Sequence, residues 1–273
     1  MPTYKSAALF LACLAFPLAC TAPVTPKSDN LVDGWSQLFN GQDLDGWRVK
    51  IAGYQLDDNS RGIFRVEDGV IRVGYEDFES FDGEFGHLFF DTPMDYYRLR
   101  VEYRFLGEQV PAGPGWAWRN SGVMLHGQAP ETMTLEQSFP VSIEAQMLGG
   151  PATEADGQRT TANLCTPGTH VEMGGELIRT HCINSNSATY YGDEWVTIEL
   201  EVRGGEQIRH WMNGEIVLSY EAPQLDPNDA DAKRLIEAGA ELPLTGGYFS
   251  LQAESHPLEI RKVELKLLQP EQK

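Results

Sequence analysis

Alternation of apolar and polar residues is the feature that most limits how this chain can fold. Residues 96–105 alternate without a break, and residues 195–202 repeat the pattern. A period of two places successive side chains on opposite faces of a β-strand, one for the core and one for solvent. Asp68-Gly69 and Asn213-Gly214 lie between apolar runs, which is typical of tight hairpins. The chain is therefore predicted to consist mainly of antiparallel strands.

A single segment has the features of a helix. Asp226 can cap its N-terminus, and Pro227 suits its first turn. Residues 230–238 continue the helix, and Gly239 can end it. About a dozen strands with one helix predict an all-β antiparallel sandwich. A sandwich of this size commonly forms one domain, here residues 35–269.

Residues 1–20 are predicted to be a signal peptide. Lys5 precedes an apolar run, residues 7–19, that is too short to span a bilayer. Leu18-Ala19-Cys20 resembles a bacterial lipobox, in which the cysteine is lipidated after cleavage. The alternative is a cleaved product without lipid, and residues 21–34 are expected to be a flexible linker. We expect an exported protein, periplasmic or anchored in the outer membrane through lipid on Cys20.

The charge of the chain restricts its partners. The formal net charge is −19 at pH 7, and residues 1–20 contribute one lysine and no acid. Nucleic acid and anionic membrane surfaces attract proteins of the opposite sign. We therefore expect no nucleic-acid partner and no contact with a membrane except through the lipid on Cys20.

Two cysteines, Cys165 and Cys182, remain outside the N-terminal segment. Disulfides form in exported proteins, so the preferred prediction is a disulfide between them. The alternative is a zinc site that also uses His170 and His181. The spacing matches no standard zinc motif.

Polar side chains collect on one face of two consecutive predicted strands. By parity, Asn120, Met124 and His126 share a face of the first strand. Glu144 and Gln146 share a face of the second strand. Soluble proteins rarely bury a carboxylate, an imidazole and amides without a use for them. The remaining residues of the second strand suit a core: Ile143, Ala145 and Met147.

These residue types suit a carbohydrate site. Sugars need planar hydrogen-bonding groups and aromatic faces, and Trp116 and Trp118 supply the latter in a loop of the kind where binding residues concentrate. Core packing is the alternative for both tryptophans. A second alternation, near the end of the chain, puts Gln252, Glu254 and His256 on one face. A carboxylate paired with an imidazole would give a general base with an orienting partner. Surface polarity at a sheet edge is the alternative for each histidine.

Several motifs together resemble the 3-keto-disaccharide hydrolase domain family. The resemblance runs from residue 36 to residue 268, and each motif alone is modest, but seven in order are specific. In chain order the motifs are Ser36 to Trp47, Val66 to Val70, Arg119 to Gly127, Glu144 to Met147, Gly192 to Trp195, Asn213-Gly214 and Gly247 to Pro257.

The resemblance implies a concanavalin-like jelly roll in exported bacterial proteins, many of them lipoproteins. It also implies action on glycosides already oxidised to a ketone at C3 of the glucosyl ring. Many members carry Arg where His126 stands, and the insert around Cys165 and Cys182 is confined to some members. Both departures bear on the choice of substrate.

The implied chemistry suits the residues. A C3 ketone acidifies the C2 proton, so a base can remove it and expel the C1 substituent, after which water adds. We expect Glu144 and His126 to be the acid and base, with Glu254 and His256 as second candidates. Asn120, Gln146 and Gln252 would bind hydroxyls or the enolate. A divalent ion could stabilise the enolate as a Lewis acid.

Two other functions remain open at this point. A retaining glucanase would need two neighbouring carboxylates, but Gln146 follows Glu144 where that pattern has a second acid. A non-catalytic carbohydrate-binding module would use the same aromatic and amide groups without needing His126.

Overall fold

The computed structural model describes residues 31–32, 34–151 and 157–270. The predicted signal peptide, the lipidation site at Cys20 and most of the predicted linker lie outside the described residues. No helix among the described residues is long and apolar enough to cross a membrane.

The described residues form eighteen strands and one α-helix. The first nine strands are β1 (Leu31–Val32), β2 (Trp35–Gln37), β3 (Trp47–Ile51), β4 (Phe64–Glu67), β5 (Val70–Val73), β6 (Gly86–Phe90), β7 (Tyr96–Phe105), β8 (Asn120–Gly127) and β9 (Ile143–Leu148). The remaining elements are β10 (Asn163–Cys165), β11 (Thr169–Met173), β12 (Glu176–Ile178), β13 (Cys182–Ile183), β14 (Val196–Arg203), β15 (Gln207–Met212), β16 (Glu215–Leu225), α1 (Ala230–Glu237), β17 (Tyr248–Ala253) and β18 (Leu258–Leu267).

Two antiparallel sheets make up the fold. The eleven-stranded sheet has the order β1-β2-β18-β7-β14-β15-β16-β11-β12, and β5 pairs with β18 and carries β4. The seven-stranded sheet has the order β13-β10-β9-β8-β17-β6-β3. One cluster of buried hydrophobic side chains draws on both sheets, Leu99 of β7 and Val123 of β8 among them. The predicted all-β jelly-roll sandwich with one short helix is confirmed.

Local sequence patterns explain most strand boundaries. β7 alternates between half-buried and buried residues over its full ten positions, as its sequence predicts. Asp68 and Gly69 both adopt positive φ, 49° and 77°, in the turn between β4 and β5. Both central residues of a type I′ hairpin turn need positive φ, which Asp-Gly tolerates.

The predicted start of the helix is wrong. Asp229, not Asp226, is the N-cap, because its side chain accepts hydrogen bonds from the backbone N–H groups of Asp231 and Ala232. Asp226 instead accepts a hydrogen bond of 2.9 Å from the backbone N–H of Asn228 and orders the preceding turn. Both aspartates can cap a turn. The helix begins after Asp229 because that side chain accepts hydrogen bonds from the N–H groups of the first helical turn.

Candidate active site

The floor of the candidate site is the face of the seven-stranded sheet that points away from the core. The odd-numbered residues of β9 join the hydrophobic core, as predicted, so Glu144 and Gln146 point to the opposite face. Met124 of β8 pairs with Glu144, and Cys165 of β10 pairs with it from the other side. Ser250 of β17 pairs with Met124 and extends the same row.

A second, more polar row runs beside the first. Gln146 pairs with Gly122 on β8 and with Asn163 on β10, whose amide Nδ2 donates a hydrogen bond of 3.1 Å to its Oε1. Gln252 of β17 pairs with His87 of β6. The sheet therefore brings the predicted residues Glu144, Gln146 and Gln252 onto one surface.

Gly122 provides the space in which the central side chains of this surface lie. A Cβ at this position would be 2.7 Å from Glu144 Oε1, 2.8 Å from Glu144 Cγ and 3.1 Å from Gln252 Oε1. The first two separations are too short for any real Cβ contact. The absence of a side chain at Gly122 therefore lets the Glu144 carboxyl and the Gln252 amide approach each other across the sheet.

Two buried carboxyl groups interact at this site. Burial raises the pKa of Glu144 to about 8. Burial also raises the pKa of Glu254 well above its ordinary value; the charge of Glu144 adds to that rise and the charge of Arg159 opposes it. A carboxyl pair with unequal pKa values holds one proton between its two members at a pH between those values. Such a pair can act as an acid and a base in one reaction.

Several buried polar atoms of the site have no hydrogen-bond partner among the described residues: Asn120 Oδ1, Gln252 Oε1 and Nε2, and Glu254 Oε2. Gln252 is fully buried, and Asn120 is 3% exposed. An unpaired buried polar group costs about 1–3 kcal/mol. Because the oxygens fit sugar hydroxyls or a hard divalent cation equally well, these positions are suited to bind a ligand.

A cavity of about 400 Å³ opens above this floor, within the size range of small-molecule sites. Trp116 is 54% exposed and stacks on Phe85, with ring centroids 5.8 Å apart and planes 11° apart. Phe139 tilts against Phe85 at 4.9 Å. The cavity thus has an aromatic wall above a polar floor. It is lined by Trp116, Asn120, Phe139, Glu144, Gln146, Cys165, Pro167, His181, Cys182 and Glu254.

Arg159 is a residue that sequence patterns did not reveal. Its guanidinium donates hydrogen bonds to the backbone carbonyls of Trp116, Trp118, Arg119 and Gly149, at 2.5–3.3 Å. It thereby fixes the loop that carries the exposed Trp116. Burial lowers the pKa of Arg159, and the charge of Glu254 opposes that change. No signal in the sequence marks Arg159, because it belongs to no strand and binds backbone carbonyls that lie 10 to 43 residues earlier.

His87 and Lys50 also belong to the floor and were missed. Lys50 pairs with His87 across β3 and β6, and its ammonium donates hydrogen bonds to the carbonyls of Ile51, Tyr54 and Leu135. Burial, with the charge of Lys50, lowers the pKa of His87 to about 3. His87 is therefore a neutral imidazole beside Gln252. His87 lies in a run of apolar residues, so alternation in the sequence does not show that its side chain points to the polar face of the sheet.

His126 does not join Glu144, contrary to the prediction from parity. Between Met124 and Gly127, β8 carries one residue more than its partner β17, so the register shifts there and His126 adopts a φ of +49°. Such a β-bulge reverses the face to which the following side chain points. His126 Nε2 lies 3.0 Å from the carbonyl oxygen of Gly204, in the turn between β14 and β15 of the other sheet. The structure thus separates the predicted catalytic pair.

His256 and Trp118 lie behind the site rather than in the cavity wall. His256 is fully buried, and its ring makes edge contacts with Trp118 at 6.0 Å and Phe105 at 5.6 Å. Burial lowers the pKa of His256 to about 4, and the charges of Arg119 and Arg159 act in the same direction. A neutral, aromatic-packed His256 supports the segment that carries Glu254.

Cys165 and Cys182 form a disulfide, as predicted. Their strands, β10 and β13, pair at these two residues, so the disulfide joins two neighbouring strands at the edge of the seven-stranded sheet. Cys165, Cys182 and His181 form the only group of three His, Cys, Asp or Glu residues in the described ranges with ligand atoms within 4.8 Å of one another. Sulfurs bonded to each other are not thiolates, so the alternative of a zinc site is wrong.

The sequence model of one protein family, the 3-keto-alpha-glucoside-1,2-lyase-like domain, matches residues 34–266. Among curated proteins, no sequence matches this chain significantly. A provisionally assigned glycosyl hydrolase from Parabacteroides distasonis has a similar structure, with 20% identity, a TM-score of 0.49 and coverage of 86% of this chain and 95% of that chain.

Two sugar-binding proteins have similar structures as well. The carbohydrate-binding module CBM66 from Bacillus subtilis is 8% identical, with a TM-score of 0.41 and coverage of 85% of this chain and 94% of that chain. The lumenal domain of VIP36, bound to Ca²⁺ and Man3GlcNAc, is 11% identical, with a TM-score of 0.48 and coverage of 88% and 90%. The family model spans nearly the whole described structure, and the chain belongs to the family of the 3-keto-alpha-glucoside-1,2-lyase-like domain.

Proposed function

We propose that this protein cleaves glycosides whose glucosyl ring carries a ketone at C3, by elimination across C1 and C2 followed by hydration. The observation that carries the proposal is the interacting pair of buried carboxyl groups, Glu144 and Glu254, in the wall of one cavity. Elimination needs a base at C2 and an acid at the leaving oxygen. The family of the chain supports the same substrate class.

Glu144 is the base in this proposal, and Glu254 is the acid. Burial raises the pKa of Glu144 to about 8, so about half of the carboxyl groups are ionised at mildly alkaline pH. Glu254 keeps its proton longer, because burial and the negative charge of Glu144 both raise its pKa. Glu254 therefore replaces His126 as the partner of Glu144.

The reaction balances with these two groups and one water. Glu144 removes the C2 proton, and the electron pair moves onto the C3 oxygen as an enolate. The enolate collapses and expels the C1 oxygen, which takes the proton of Glu254. Water then adds at C1 of the resulting enone and gives a proton to Glu254, while C2 regains a proton from Glu144. Both carboxyl groups return to their starting states, and the net change is hydrolysis to a 3-keto sugar and the free alcohol.

Neighbouring groups suit the enolate and the ring. The amide Nε2 of Gln252 is a buried donor without a partner, so it is available to the developing negative charge. Trp116 and Phe139 offer aromatic faces to the C–H groups of a sugar ring. A divalent ion held by the oxygens of Asn120, Gln252 and Glu254 would supply Lewis-acid stabilisation of the enolate.

The first experiment compares a 3-keto-disaccharide with its unoxidised parent. We expect turnover of the keto sugar alone, with a transient enone visible by its ultraviolet absorbance and by NMR. In D₂O the 3-keto sugar product should carry deuterium at C2. Turnover of neither sugar would overturn the proposal.

The second experiment separates the two roles. E144Q should lose both C2 exchange and cleavage, whereas E254Q should lose cleavage and retain C2 exchange. Each loss should amount to about 10²–10⁴-fold. Glu176 is exposed on β12 and lines none of the cavities described, so E176Q is a matched control that should keep full activity. Full activity in both E144Q and E254Q would contradict the assignment.

Ordinary retaining hydrolysis is a second candidate, and the proximity of Glu254 to Glu144 favours it. The sequence alone offered only Gln146 as a neighbour of Glu144, whereas the fold supplies a second carboxyl group. Turnover of the unoxidised parent, without deuterium incorporation at C2, would identify this chemistry.

A further inference from the structure

A second cavity adjoins the candidate active site. It has a volume of about 600 Å³ and lies between the cystine segment, residues 163–183, and the start of α1. Phe139, Pro167 and His181 line both cavities. The two cavities are therefore adjacent, with these three residues at the junction.

The junction is held firmly in place. The Cys165–Cys182 disulfide fixes the base of the cystine segment next to His181. The backbone N–H of Thr166 donates a hydrogen bond of 2.9 Å to the carbonyl oxygen of His181, and the Thr166 hydroxyl donates another of 3.3 Å. The position of His181 between the two cavities is therefore built into the fold.

Arg179 lines the second cavity as an exposed cation. It has no hydrogen-bond or ion-pair partner among the described residues, so its guanidinium is available to a ligand. Its five N–H donors suit the paired hydroxyl groups of a sugar.

The remaining charges of the second cavity are negative: Glu136, Asp226, Asp229 and Asp231. Asp229 caps α1, Asp226 lies 3.4 Å from His170 Nε2, and Asp231 pairs with Arg234 at 3.2 Å, so three of the four have structural contacts. One arginine against four carboxylates disfavours an anionic ligand such as a uronic acid.

We infer that the second cavity binds the leaving half of the substrate, an uncharged sugar unit, and that Arg179 and His181 determine specificity for it. The inference rests on the proposed function, because a glycoside bound with its keto ring over Glu144 has a second half that must leave the first cavity. The second cavity adjoins the first at His181, where that half would extend. The substrate class is thus a 3-keto-disaccharide with a neutral second sugar.

The test compares two substrates. A 3-keto-disaccharide with a neutral second sugar would extend into the second cavity, whereas the methyl 3-ketoglucoside would occupy only the first. In R179A and H181A, we expect the ratio of kcat/KM for the disaccharide to that for the methyl glycoside to fall about tenfold. Thr180 is exposed between them and lines neither cavity, so T180A should leave the ratio unchanged. An unchanged ratio in R179A and H181A, with turnover of both substrates, overturns the inference and leaves the proposed function standing.

A binding measurement decides the inference without turnover. Calorimetric titration of E144Q with the 3-keto-disaccharide should give about tenfold tighter binding than titration of R179A/E144Q. If neither keto sugar is turned over, the proposed function fails, and equal affinities of the two variants would then overturn the inference as well.

Discussion

Replacing Gly122 by alanine should separate activity from stability. The new Cβ would lie 2.7 Å from Glu144 Oε1 and 3.1 Å from Gln252 Oε1. Comfortable contacts lie at about 3.5–4.0 Å, so the Glu144 carboxyl must move by about 1 Å. Overpacking of this kind lowers the free energy of unfolding by about 1–3 kcal/mol. The Gly→Ala change also restricts the unfolded chain, which raises the free energy of unfolding by about 0.4–1 kcal/mol. We therefore expect a net loss of at most about 2.5 kcal/mol in the free energy of unfolding.

The loss of activity in G122A should be much larger. A displacement of about 1 Å in a catalytic group can reduce the rate about 100-fold. Urea denaturation gives the stability, and turnover of the 3-keto-disaccharide gives the activity. Gly115 has open space around its Cβ position and lacks a positive φ, so G115A is the control for stability and should unfold at or slightly above the wild-type midpoint. Wild-type activity in G122A would refute the idea that Gly122 positions Glu144.

Three further predictions follow from the structure and the sequence. Because the folded pKa of Glu144 is raised to about 8, the protein should lose stability relative to E144Q as the pH rises from about 4.5 to about 8, by up to about 5 kcal/mol. Urea denaturation of both proteins at pH 5.5 and 8.5 measures this, and parallel changes would contradict it. The double variant C165S/C182S should lose about 3 kcal/mol in the free energy of unfolding, and an unchanged urea midpoint would show that the disulfide adds nothing. Mass spectrometry of the membrane fraction should find Cys20 lipidated at the mature N-terminus, and recovery of C20S in the soluble fraction would agree. An unmodified soluble wild-type protein would refute the lipoprotein prediction.

The sequence was sufficient to predict the sandwich and the orientation of β9, because period-two patterning depends only on neighbouring residues. Glu144 and Gln146 could therefore be assigned to the polar face before any coordinates. The same counting failed for His126, because a single extra residue in β8 reverses the side to which the chain points. A bulge depends on pairing with β17, which is distant in sequence, so local alternation does not reveal it.

The partner of Glu144 illustrates a second limit of sequence patterns. Glu254 was identified only as a second candidate, since nothing local shows that β17 and β8 are neighbours in the sheet. Arg159 was not identified at all, because its role consists of contacts with backbone carbonyls, which no side-chain pattern marks. Strand order and carbonyl contacts are properties of the whole fold, and they decide which charges share a site.

The buried amide of Gln252 has a consequence for the evolution of this protein in the laboratory. Neither Oε1 nor Nε2 of its side chain has a hydrogen-bond partner within the described structure, which lowers the stability of the folded protein. An apolar residue of similar size would remove that penalty. Selection for heat resistance alone should therefore enrich Gln252→Leu or Gln252→Met, at the expense of the proposed enolate stabilisation. A library designed to yield variants that are both more stable and active should keep Gln252 unchanged.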